Sequence, residues 1–415
     1  MFDLDRWQEI WHTIKQNKLR SVMTAFGVFW GIFMLVIMLG SGKALENGIM
    51  DGTEDFERNS CFMFVNRTTE PYKGLQRGRS WAISDGDLEA IESSVEGVKF
   101  TVPYVYAPSM EDGVMNGTKV GTFSVQGITP QLYEITPQVL VEGHLINELD
   151  VLGKRKVCVI GEKVREQLFL TSENPIGTYI RANGIYFQVV GVTKAKSKMS
   201  MGSPPESTVF IPYSTAKQVF NLGEKIWFFS IVGNSDADIG KIEEEAKEVL
   251  KARNSIAPSD NEAIFSFNMK QEFQQVEALL FGIQLLIWIV GIGTLLAGII
   301  GVSNIMLITI RERTKEIGIR RAIGATPSTI MSQIIEESFV LTLLAGIGGL
   351  VLGVWVLDFA NGLLPTDDVF FKNPHIDFGI AILATFIMSL FGVLAGIVPA
   401  RRAIRIKPID AIREE

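Results

Sequence analysis

Charged residues are missing from four long stretches of this 415-residue chain, although 20% of its residues are charged. The four runs without Asp, Glu, Lys or Arg are Ser21–Gly42, Ala278–Ile310, Ser338–Leu357 and Phe378–Ala400. Each reaches the roughly 20 residues that a helix needs to cross about 30 Å of hydrocarbon. Because none of them holds an ionisable side chain, an ion-coupled carrier and a channel with a charged filter are disfavoured. The sequence predicts four membrane-spanning helices.

Cysteine and histidine are also scarce. The chain has two cysteines, Cys61 and Cys158, and three histidines in unrelated segments, His12, His144 and His375. No Cys/His spacing of a metal site results, so no bound metal is expected. The two cysteines either form a disulfide, which an extracytoplasmic compartment permits, or are small buried residues on separate strands. We favour the second interpretation.

The motifs of nucleotide binding and of hydrolysis are absent as well. The sequence has no Gly-rich phosphate loop that ends in Gly-Lys-Ser or Gly-Lys-Thr. It has no nucleophile elbow and no paired-histidine zinc motif. We therefore expect no cofactor on this chain and no catalytic residues. If ATP is used, another chain binds it.

Basic residues in the short flanks predict the orientation, because cytoplasmic loops carry an excess of Lys and Arg. Residues 1–20 carry four Lys or Arg, 311–337 carry five and 401–415 carry five, whereas 358–377 carries only Lys372. Both termini are thus predicted to be cytoplasmic and segment 43–277 to be outside. Because basic and acidic residues are distributed unequally between the two sides of the membrane, the net charge of −7 does not indicate a class of partner.

These observations divide the chain into a fixed order of segments. Helical spacing of Leu4, Trp7, Ile10, Trp11 and Ile14 predicts an amphipathic helix along the inner membrane surface, in contact with lipid. The predicted segments are an amphipathic helix (1–20), four spans (21–42, 278–310, 338–357, 378–400), an outer domain (43–277), a cytoplasmic loop (311–337), an outer loop (358–377) and a cytoplasmic tail (401–415).

Three features of the spans leave alternatives open. The first span could be a cleaved signal peptide, but its length and the twenty residues before it favour a retained helix. The second run is longer than a helix needs to cross the bilayer. The helix therefore projects beyond the membrane, tilts within it, or breaks near Gly291, Gly293 or Gly298. Three pairs of glycines spaced four residues apart would let another helix approach closely: Gly27-xxx-Gly31, Gly349-xxx-Gly353 and Gly392-xxx-Gly396. These pairs either form a specific dimer contact or only reflect that glycine is common in membrane helices.

The outer segment reads as a folded α+β region. Strand-like runs cover 61–67, 98–106, 121–128, 156–161, 208–213 and 227–233, and Asn183-Gly184 predicts a tight hairpin within 179–192. Ser84 with Asp87 forms a capping-box pattern. A βαβ order at each end encloses a β-rich middle, which predicts a porter-like subdomain with an inserted subdomain at about 107–207. No substrate contact can be named.

The stretch "MKQEFQQVE", Met269 to Glu277, is polar and favours helix, with no Pro or Gly before the second span. A continuous helix from the outer domain through the bilayer would transmit movement between the two sides. A simple juxtamembrane helix is the open alternative.

The cytoplasmic loop "TIRERTKEIGIRRAIGATPSTI" predicts a helix, a tight corner and a second helix. Ile310, Ile317 and the Ala322–Ile323 pair can line one side of the first helix. Gly324 suits its end, and Thr326 with Pro327 suits the start of the next helix. The mixed charges fit either a groove in a soluble cytoplasmic partner or a solvated basic loop that fixes topology.

Two terminal motifs resemble a known family. The segment "NIMLITIRERTKEIGIRRAIGAT" (304–326) is similar to the signature of MacB-type ABC transporter permeases, the superfamily that includes lipoprotein-releasing and FtsX-type permeases. The ending "FGVLAGIVPARRAIRIKPIDAIREE" (391–415) and the outer stretches "VLVEGHLINELD" and "VCVIGEKVREQLF" resemble the family too. The resemblance covers almost the whole chain.

The resemblance implies a permease of the bacterial inner membrane that works as a dimer with a separate dimeric ABC ATPase, which binds ATP and Mg²⁺. It implies a coupling helix after the second span that docks on this ATPase, with the extracytoplasmic domain moving in response. A periplasmic adaptor and an outer-membrane duct are further expected partners; a nucleic acid is not. The residues implied in the ATPase contact are Glu312, Arg313, Glu316, Gly318, Arg320, Ala322 and Gly324.

The sequence departs from the namesake macrolide exporter in one respect. That exporter has its ATPase fused ahead of the first span, whereas only twenty residues precede the span here. We therefore expect a stand-alone permease with its ATPase on another chain, and do not carry over the substrate.

The family leaves three functions open. The first is an exporter permease in tripartite efflux, the second a lipoprotein-releasing permease, and the third an FtsX-like regulator of a cell-wall hydrolase. We favour efflux, because the outer domain is larger than those regulators usually carry. A membrane-anchored receptor without an ATPase would leave the charged loop unexplained.

Overall fold

In a computed structural model of the chain, the described residues are 18–51, 53, 56–108, 113–170, 172–196, 200, 202–363, 371–375 and 378–405. The chain divides into two compact units, one of Met1–Ile49 with Ala278–Glu415 and one of Met50–Glu277. Residues 1–17 of the predicted amphipathic helix and 406–415 of the tail lie outside the described residues.

Among the described residues, four helices are long and apolar enough to cross a membrane, which confirms the predicted number of spans. They are α1 (Lys18–Met50), α8 (Met269–Glu312), α10 (Pro327–Leu363) and α11 (Phe378–Ala403). All four extend beyond the uncharged runs, because polar residues at the ends continue the helix. The membrane boundaries stay predictions. α1 buries Val28, Ile32, Leu35 and Val36 in this unit's core, which favours a retained helix.

Helix α8 is unbroken over its 44 residues, so of the three alternatives for this run the break near its glycines does not occur. Gly291 and Gly298 instead let α1 approach. A Cβ on Gly291 would lie 2.3 Å from Leu35 Cδ1, and one on Gly298 would lie 3.1 Å from the carbonyl oxygen of Gly27. These glycines serve packing rather than a kink.

The three small-residue motifs pack against other helices of the same chain. A Cβ on Gly349 would lie 2.5 Å from the carbonyl oxygen of Phe29 in α1. A Cβ on Gly396 would lie 3.0 Å from Ile335 Cα in α10. Because each motif already has a neighbour within the chain, none of them needs a second copy to explain it.

The described residues of the second unit form a mixed sheet of twelve strands in the order β12-β1-β11-β2-β5-β10-β7-β9-β8-β3-β4, with β6 paired to β9. The strands are β1 (Ser60–Val65), β2 (Val98–Tyr106), β3 (Val114–Asn116), β4 (Lys119–Gly121), β5 (Ser124–Ile128), β6 (Gln138–Gly143), β7 (Val157–Gly161), β8 (Tyr179–Ala182), β9 (Ile185–Ala195), β10 (Thr208–Pro212), β11 (Phe228–Gly233) and β12 (Ile264–Asn268).

In the part of this unit that the structure describes, six helices connect the strands. They are α2 (Asp85–Ser94), α3 (Leu132–Ile135), α4 (Glu148–Leu152), α5 (Glu162–Leu168), α6 (Tyr213–Val219) and α7 (Ile239–Arg253), with a 3₁₀ turn at Pro205–Ser207. Apolar cores lie in this unit around Phe187 and Phe229 and around Phe62 and Phe210, all at most 2% exposed. The subdivision at about 107–207 stays a prediction, since β2 pairs with β5 across it.

Two local predictions in the outer unit are confirmed. Asn183 and Gly184 both have positive φ, and Ala182 pairs with Ile185, so a two-residue turn joins β8 to β9. Ser84 caps α2, and its backbone N–H and hydroxyl donate to the carboxylate of Asp87 at 2.9 and 2.8 Å.

The cysteines are free and fully buried, Cys61 on β1 and Cys158 on β7. Burial raises the pKa of both thiols well above the usual range. The favoured interpretation of two small buried residues is therefore right.

Candidate functional site

The loop between α8 and α10 forms the predicted helix and tight corner. α8 ends at Glu312, α9 spans Thr314–Ala322, and α10 begins at Pro327. Gly324 has φ +112°, a conformation that side chains with a Cβ rarely adopt. The hydroxyl of Thr326 accepts the backbone N–H of Thr329 at 3.3 Å and so caps α10. Local sequence signals thus determine this turn.

Three charged residues within α9 and just before it form one network. The guanidinium of Arg313 donates to both carboxylate oxygens of Glu316, at 3.0 and 3.3 Å. Arg320 donates to the same carboxylate at 2.8 Å. Hydrogen bonds from Arg313, together with the charges of both arginines, lower the pKa of Glu316. This carboxylate therefore stays ionised at neutral pH and holds both arginines.

The same two arginines also connect α9 to α10. Arg313 Nη1 lies 3.5 Å from Glu337 Oε2, and Arg320 Nη1 donates to Gln333 Oε1 at 3.1 Å. Glu337 is only 6% exposed, so its carboxylate depends on bonds within the protein. Because a buried charge is unfavourable without a partner, this pair favours one position of α9 on α10.

Apolar side chains fill the space beside the network. Ile310, Ile317, Ile330 and Ile334 are each less than 9% exposed, and together with the polar groups they line a small cleft between α9 and α10. Gly318 is buried next to Ile317. The inner side of α9 is thus occupied by contacts within the chain.

The outer side of the loop is apolar at its tip. Ile323 is 82% exposed, Ile319 42% and Met331 37%, and Ala322 and Gly324 are exposed beside them. The sequence predicted one side of the helix for Ile310, Ile317 and the Ala322–Ile323 pair, but Ile310 and Ile317 are buried whereas Ala322 and Ile323 are exposed. The reason is that α9 ends at Ala322, so helical spacing no longer positions the next residue. We call Ile319, Ala322, Ile323 and Met331 the loop tip.

The predicted site residues therefore fall into two groups. Arg313, Glu316, Arg320 and Gly318 face inward or are half-buried in contacts within the chain, while Glu312, Ala322 and Gly324 are exposed. The sequence reasoning missed Gln333 and Glu337. Both residues lie on α10, the helix that follows the arginines in the chain. The one sequence signal for their role is their position just before the uncharged run 338–357.

A further tie was also missed. Arg321 Nη1 donates to the carbonyl oxygen of Ile404, just after α11, at 2.9 Å. The loop is thus attached to the segment that follows α11 as well as to α10.

Within the described part of the chain, no group of three or more His, Cys, Asp or Glu is placed to hold a metal ion.

Two family profiles match the chain in succession. The MacB-like periplasmic core domain matches residues 21–249, and the FtsX-like permease C-terminal domain matches residues 288–408. The first match alone covers more than half of the 415 residues. The chain belongs to the MacB/FtsX-type family of ABC transporter permeases. As a member of this family with four apolar helices, it is an inner-membrane protein with an extracytoplasmic domain.

Curated relatives of this permease are export proteins. It is 31% identical to the pyoverdine export ATP-binding/permease protein PvdT of Pseudomonas savastanoi pv. phaseolicola, over 99% of this chain and 60% of the relative. It is 29% identical to the macrolide export ATP-binding/permease protein MacB 2 of Yersinia pestis bv. Antiqua, over 96% of this chain and 56% of the relative. The permease thus spans about 60% of the length of such relatives.

Solved structures similar to the permease cover about half of it. The periplasmic region of MacB from Actinobacillus actinomycetemcomitans matches 55% of this chain and 97% of its own, with 20% identity and a TM-score of 0.43. The extracellular domain of YknZ from Gram-positive bacteria matches 51% of this chain and 100% of its own, with 20% identity and a TM-score of 0.41.

Proposed function

We propose that this permease is the membrane subunit of an ABC exporter and that a separate dimeric ATPase supplies the energy. The observation that carries the proposal is the loop between α8 and α10. It presents the apolar loop tip on a helix that its own network holds in place. These 415 residues have no phosphate loop, so the proposal has ATP bind outside them.

In this proposal α9 is the coupling helix, and its contact with the ATPase is made by the loop tip. Ile323 at 82% exposure and Ile319 at 42% are large apolar groups in an otherwise charged loop. Burying an isoleucine that is otherwise exposed contributes about 1.5–3 kcal/mol, more than an exposed ion pair provides. Arg313 and Arg320 contribute indirectly, by fixing the direction in which the tip points. Glu312 is exposed at the last position of α8.

Helix α8 is the proposed element of mechanotransmission. Its first turns belong to the outer unit, where Met269 is fully buried and Phe273 is 7% exposed. The guanidinium of Arg58 lies 4.8 Å from the Phe273 ring centroid and 3.3 Å from Glu277. Its last turns bury Met306 and Ile310 in the core of the membrane unit. One unbroken helix with both ends packed is suited to carry motion along its axis.

We further propose that the permease acts as a homodimer in tripartite efflux, with a periplasmic adaptor and an outer-membrane duct. The export names of PvdT and MacB 2 support this class of process. Both termini are proposed to be cytoplasmic, on the basis of the basic residues in 1–20, 311–337 and 401–415. Neither pyoverdine nor a macrolide is assigned as the substrate.

Reconstitution tests the proposal. The permease is combined with candidate ABC ATPases of its host in proteoliposomes, and ATP hydrolysis is measured with the wild type and with Ile323→Asp. We expect one ATPase to bind the wild-type permease and to hydrolyse ATP faster in its presence, and the Ile323→Asp permease to lose both effects. Equal stimulation of ATP hydrolysis by the wild type and by Ile323→Asp would contradict docking through the loop tip.

A further inference from the structure

Three arginines at the end of α11 have no partner in the described part of the chain. Arg401 and Arg402 occupy the last turn of this helix, Arg405 follows it, and all three are exposed. Their side chains make no hydrogen bond or ion pair with any described residue. No Asp or Glu occurs from 378 to 405, so this segment carries positive charge alone. We call Arg401, Arg402 and Arg405 the arginine end.

The arginines of α9 and of the position before it are used differently. Arg313 and Arg320 bind groups of α9 and α10, and Arg321 Nη1 donates to the carbonyl oxygen of Ile404 at 2.9 Å. Their positive charges hold the loop in place. Positioning of the loop therefore accounts for these three arginines but not for the arginine end.

The exposed side of α11 is apolar until it reaches the arginine end. Leu394 and Val398 are 45% and 54% exposed, and Arg401 follows them at helical spacings of four and three residues. On the other side of the helix, Ala395 and Ala400 are buried in the core of the membrane unit. One exposed helix side thus offers apolar contacts first and a cluster of guanidinium groups at its end.

This order of groups matches a phospholipid that lies along the helix. The predicted span 378–400 ends one residue before Arg401, which places the arginine end at the level of the headgroups. The planar guanidinium can bind two phosphate oxygens through parallel hydrogen bonds. Near an anionic membrane surface each Lys or Arg strengthens binding by a factor of about five. A lipid with net negative charge is therefore preferred to a zwitterionic one.

We propose that the arginine end of α11 binds the phosphate of an anionic phospholipid in the leaflet on the side of α9, with the acyl chains along Leu394 and Val398. Lipid binding requires neither an ATPase nor a second copy, so it is tested apart from export.

Bound lipid also restrains α9. The carbonyl oxygen that accepts from Arg321 belongs to Ile404, which lies between Arg402 and Arg405 in the chain. A phosphate held by these arginines fixes the backbone to which α9 is attached. The lipid thereby contributes to the position of the loop tip.

Native mass spectrometry of the delipidated permease, titrated with phosphatidylglycerol or with phosphatidylcholine, tests the site. We expect tighter binding of phosphatidylglycerol, weakened about fivefold in Arg401→Gln and less in Arg401→Lys, which keeps the charge. Inorganic phosphate should not displace the lipid, because it has no acyl chains for Leu394 and Val398. Equal binding of the two lipids, or full displacement by inorganic phosphate, would overturn the lipid site.

Arg311 provides the matched control. It is exposed, its side chain has no partner in the described part of the chain, and it directly follows the uncharged run 278–310. Unlike Arg401, it is followed by a carboxylate, Glu312, which repels a phosphate. We expect Arg311→Gln to bind phosphatidylglycerol like the wild type. An equal loss in Arg311→Gln and Arg401→Gln would mean that any arginine at the membrane boundary suffices, and would overturn the site on α11.

Hydrogen exchange tests the effect on α9. In nanodiscs of phosphatidylcholine with phosphatidylglycerol, residues 314–322 of the wild type should exchange several-fold more slowly than in phosphatidylcholine alone. In Arg401→Gln the two lipid compositions should give the same rate. Equal rates in the wild type would refute the restraint of α9 by lipid.

The outcomes separate this site from a protein contact and from the proposed exporter. Undiminished binding of phosphatidylglycerol by Arg401→Gln, together with loss of a co-purified ATPase, would overturn the lipid site and assign the arginines to the ATPase contact. A permease that binds phosphatidylglycerol through the arginine end but carries no ATPase would support the lipid site and contradict the proposed function.

Discussion

Arg313 and Glu337 form an ion pair at 3.5 Å that joins the start of α9 to α10, 24 positions later in the chain. Glu337 is nearly buried, while Arg313 also binds Glu316 through two hydrogen bonds. The charged loop is thus a positioned helix whose arginines have partners within the chain.

Reversing the charge of Arg313 tests this positioning. In Arg313→Glu, a carboxylate faces Glu316 and Glu337, so we expect the contact of α9 with α10 to be weakened by about 1–3 kcal/mol. Hydrogen exchange of residues 314–322 should become faster, and stimulation of the ATPase should fall. The double variant Arg313→Glu with Glu337→Arg restores opposite charges and should recover part of both. Wild-type exchange in the single variant would show that the ion pair does not position α9.

The loop tip gives a second prediction, which separates docking from stability. Ile323 is 82% exposed, so Ile323→Asp should leave the unfolding temperature of the permease unchanged. We expect it to weaken ATPase binding by about 2 kcal/mol or more, because a charge would enter an apolar contact. Ile323→Leu is the matched control and should bind like the wild type. If both variants bind equally well, the tip is not the contact.

The outer unit gives a prediction about pH. Burial disfavours the charged form of Asp87, but hydrogen bonds from Arg253 and Ser84 outweigh it, and the pKa of Asp87 lies below its usual value. A carboxyl whose pKa is lower in the folded state stabilises the fold above its unfolded pKa of about 3.9 and loses that effect as pH falls through the lower value.

The variant Asp87→Asn should therefore be less stable than the wild type at neutral pH by about 1–3 kcal/mol. The difference should shrink below about pH 4. Thermal unfolding followed at several pH values measures this. A difference that does not depend on pH would mean that packing rather than the charge of Asp87 is responsible.

The buried cysteines make the topology directly measurable. Since Cys61 and Cys158 are fully buried thiols with raised pKa, neither should react with an impermeant maleimide in the folded protein. Leu152→Cys, at a residue 77% exposed in the outer unit, should be labelled on intact spheroplasts. Ile323→Cys should be labelled only after the membrane is opened. Labelling of both from the same side would overturn the proposed orientation.

Much of this architecture could be predicted from the sequence because its signals are local. Four runs without charge indicated the spans, and Asn183-Gly184 indicated a turn that forms as expected. The capping box of Ser84 and Asp87 is also local. In such cases the residues that determine the structure are neighbours in the chain.

Contacts between distant segments were beyond that reasoning. The resemblance implied Arg313 and Arg320 in the ATPase contact, but not their contacts with Glu337 and Gln333 of α10. Ile323 was expected on the same helix side as Ile317, but α9 ends one residue earlier. Neither the partner of a charge nor the last residue of a short helix is specified by helical spacing alone.

Small residues posed the same difficulty. Gly27 and Gly298 face each other from α1 and α8, a contact between residues 271 positions apart. From the sequence alone, such glycines could equally have faced a second copy.

The most direct test of the central claim is purification of the tagged wild-type permease from its native membrane in mild detergent. Bound proteins are identified by mass spectrometry, and the ATP hydrolysis of the preparation is measured. Our account predicts a stoichiometric ABC ATPase that is lost from the Ile323→Asp protein but not from Ile323→Leu. A folded permease that carries no ATPase, or one that keeps it in Ile323→Asp, would contradict the account.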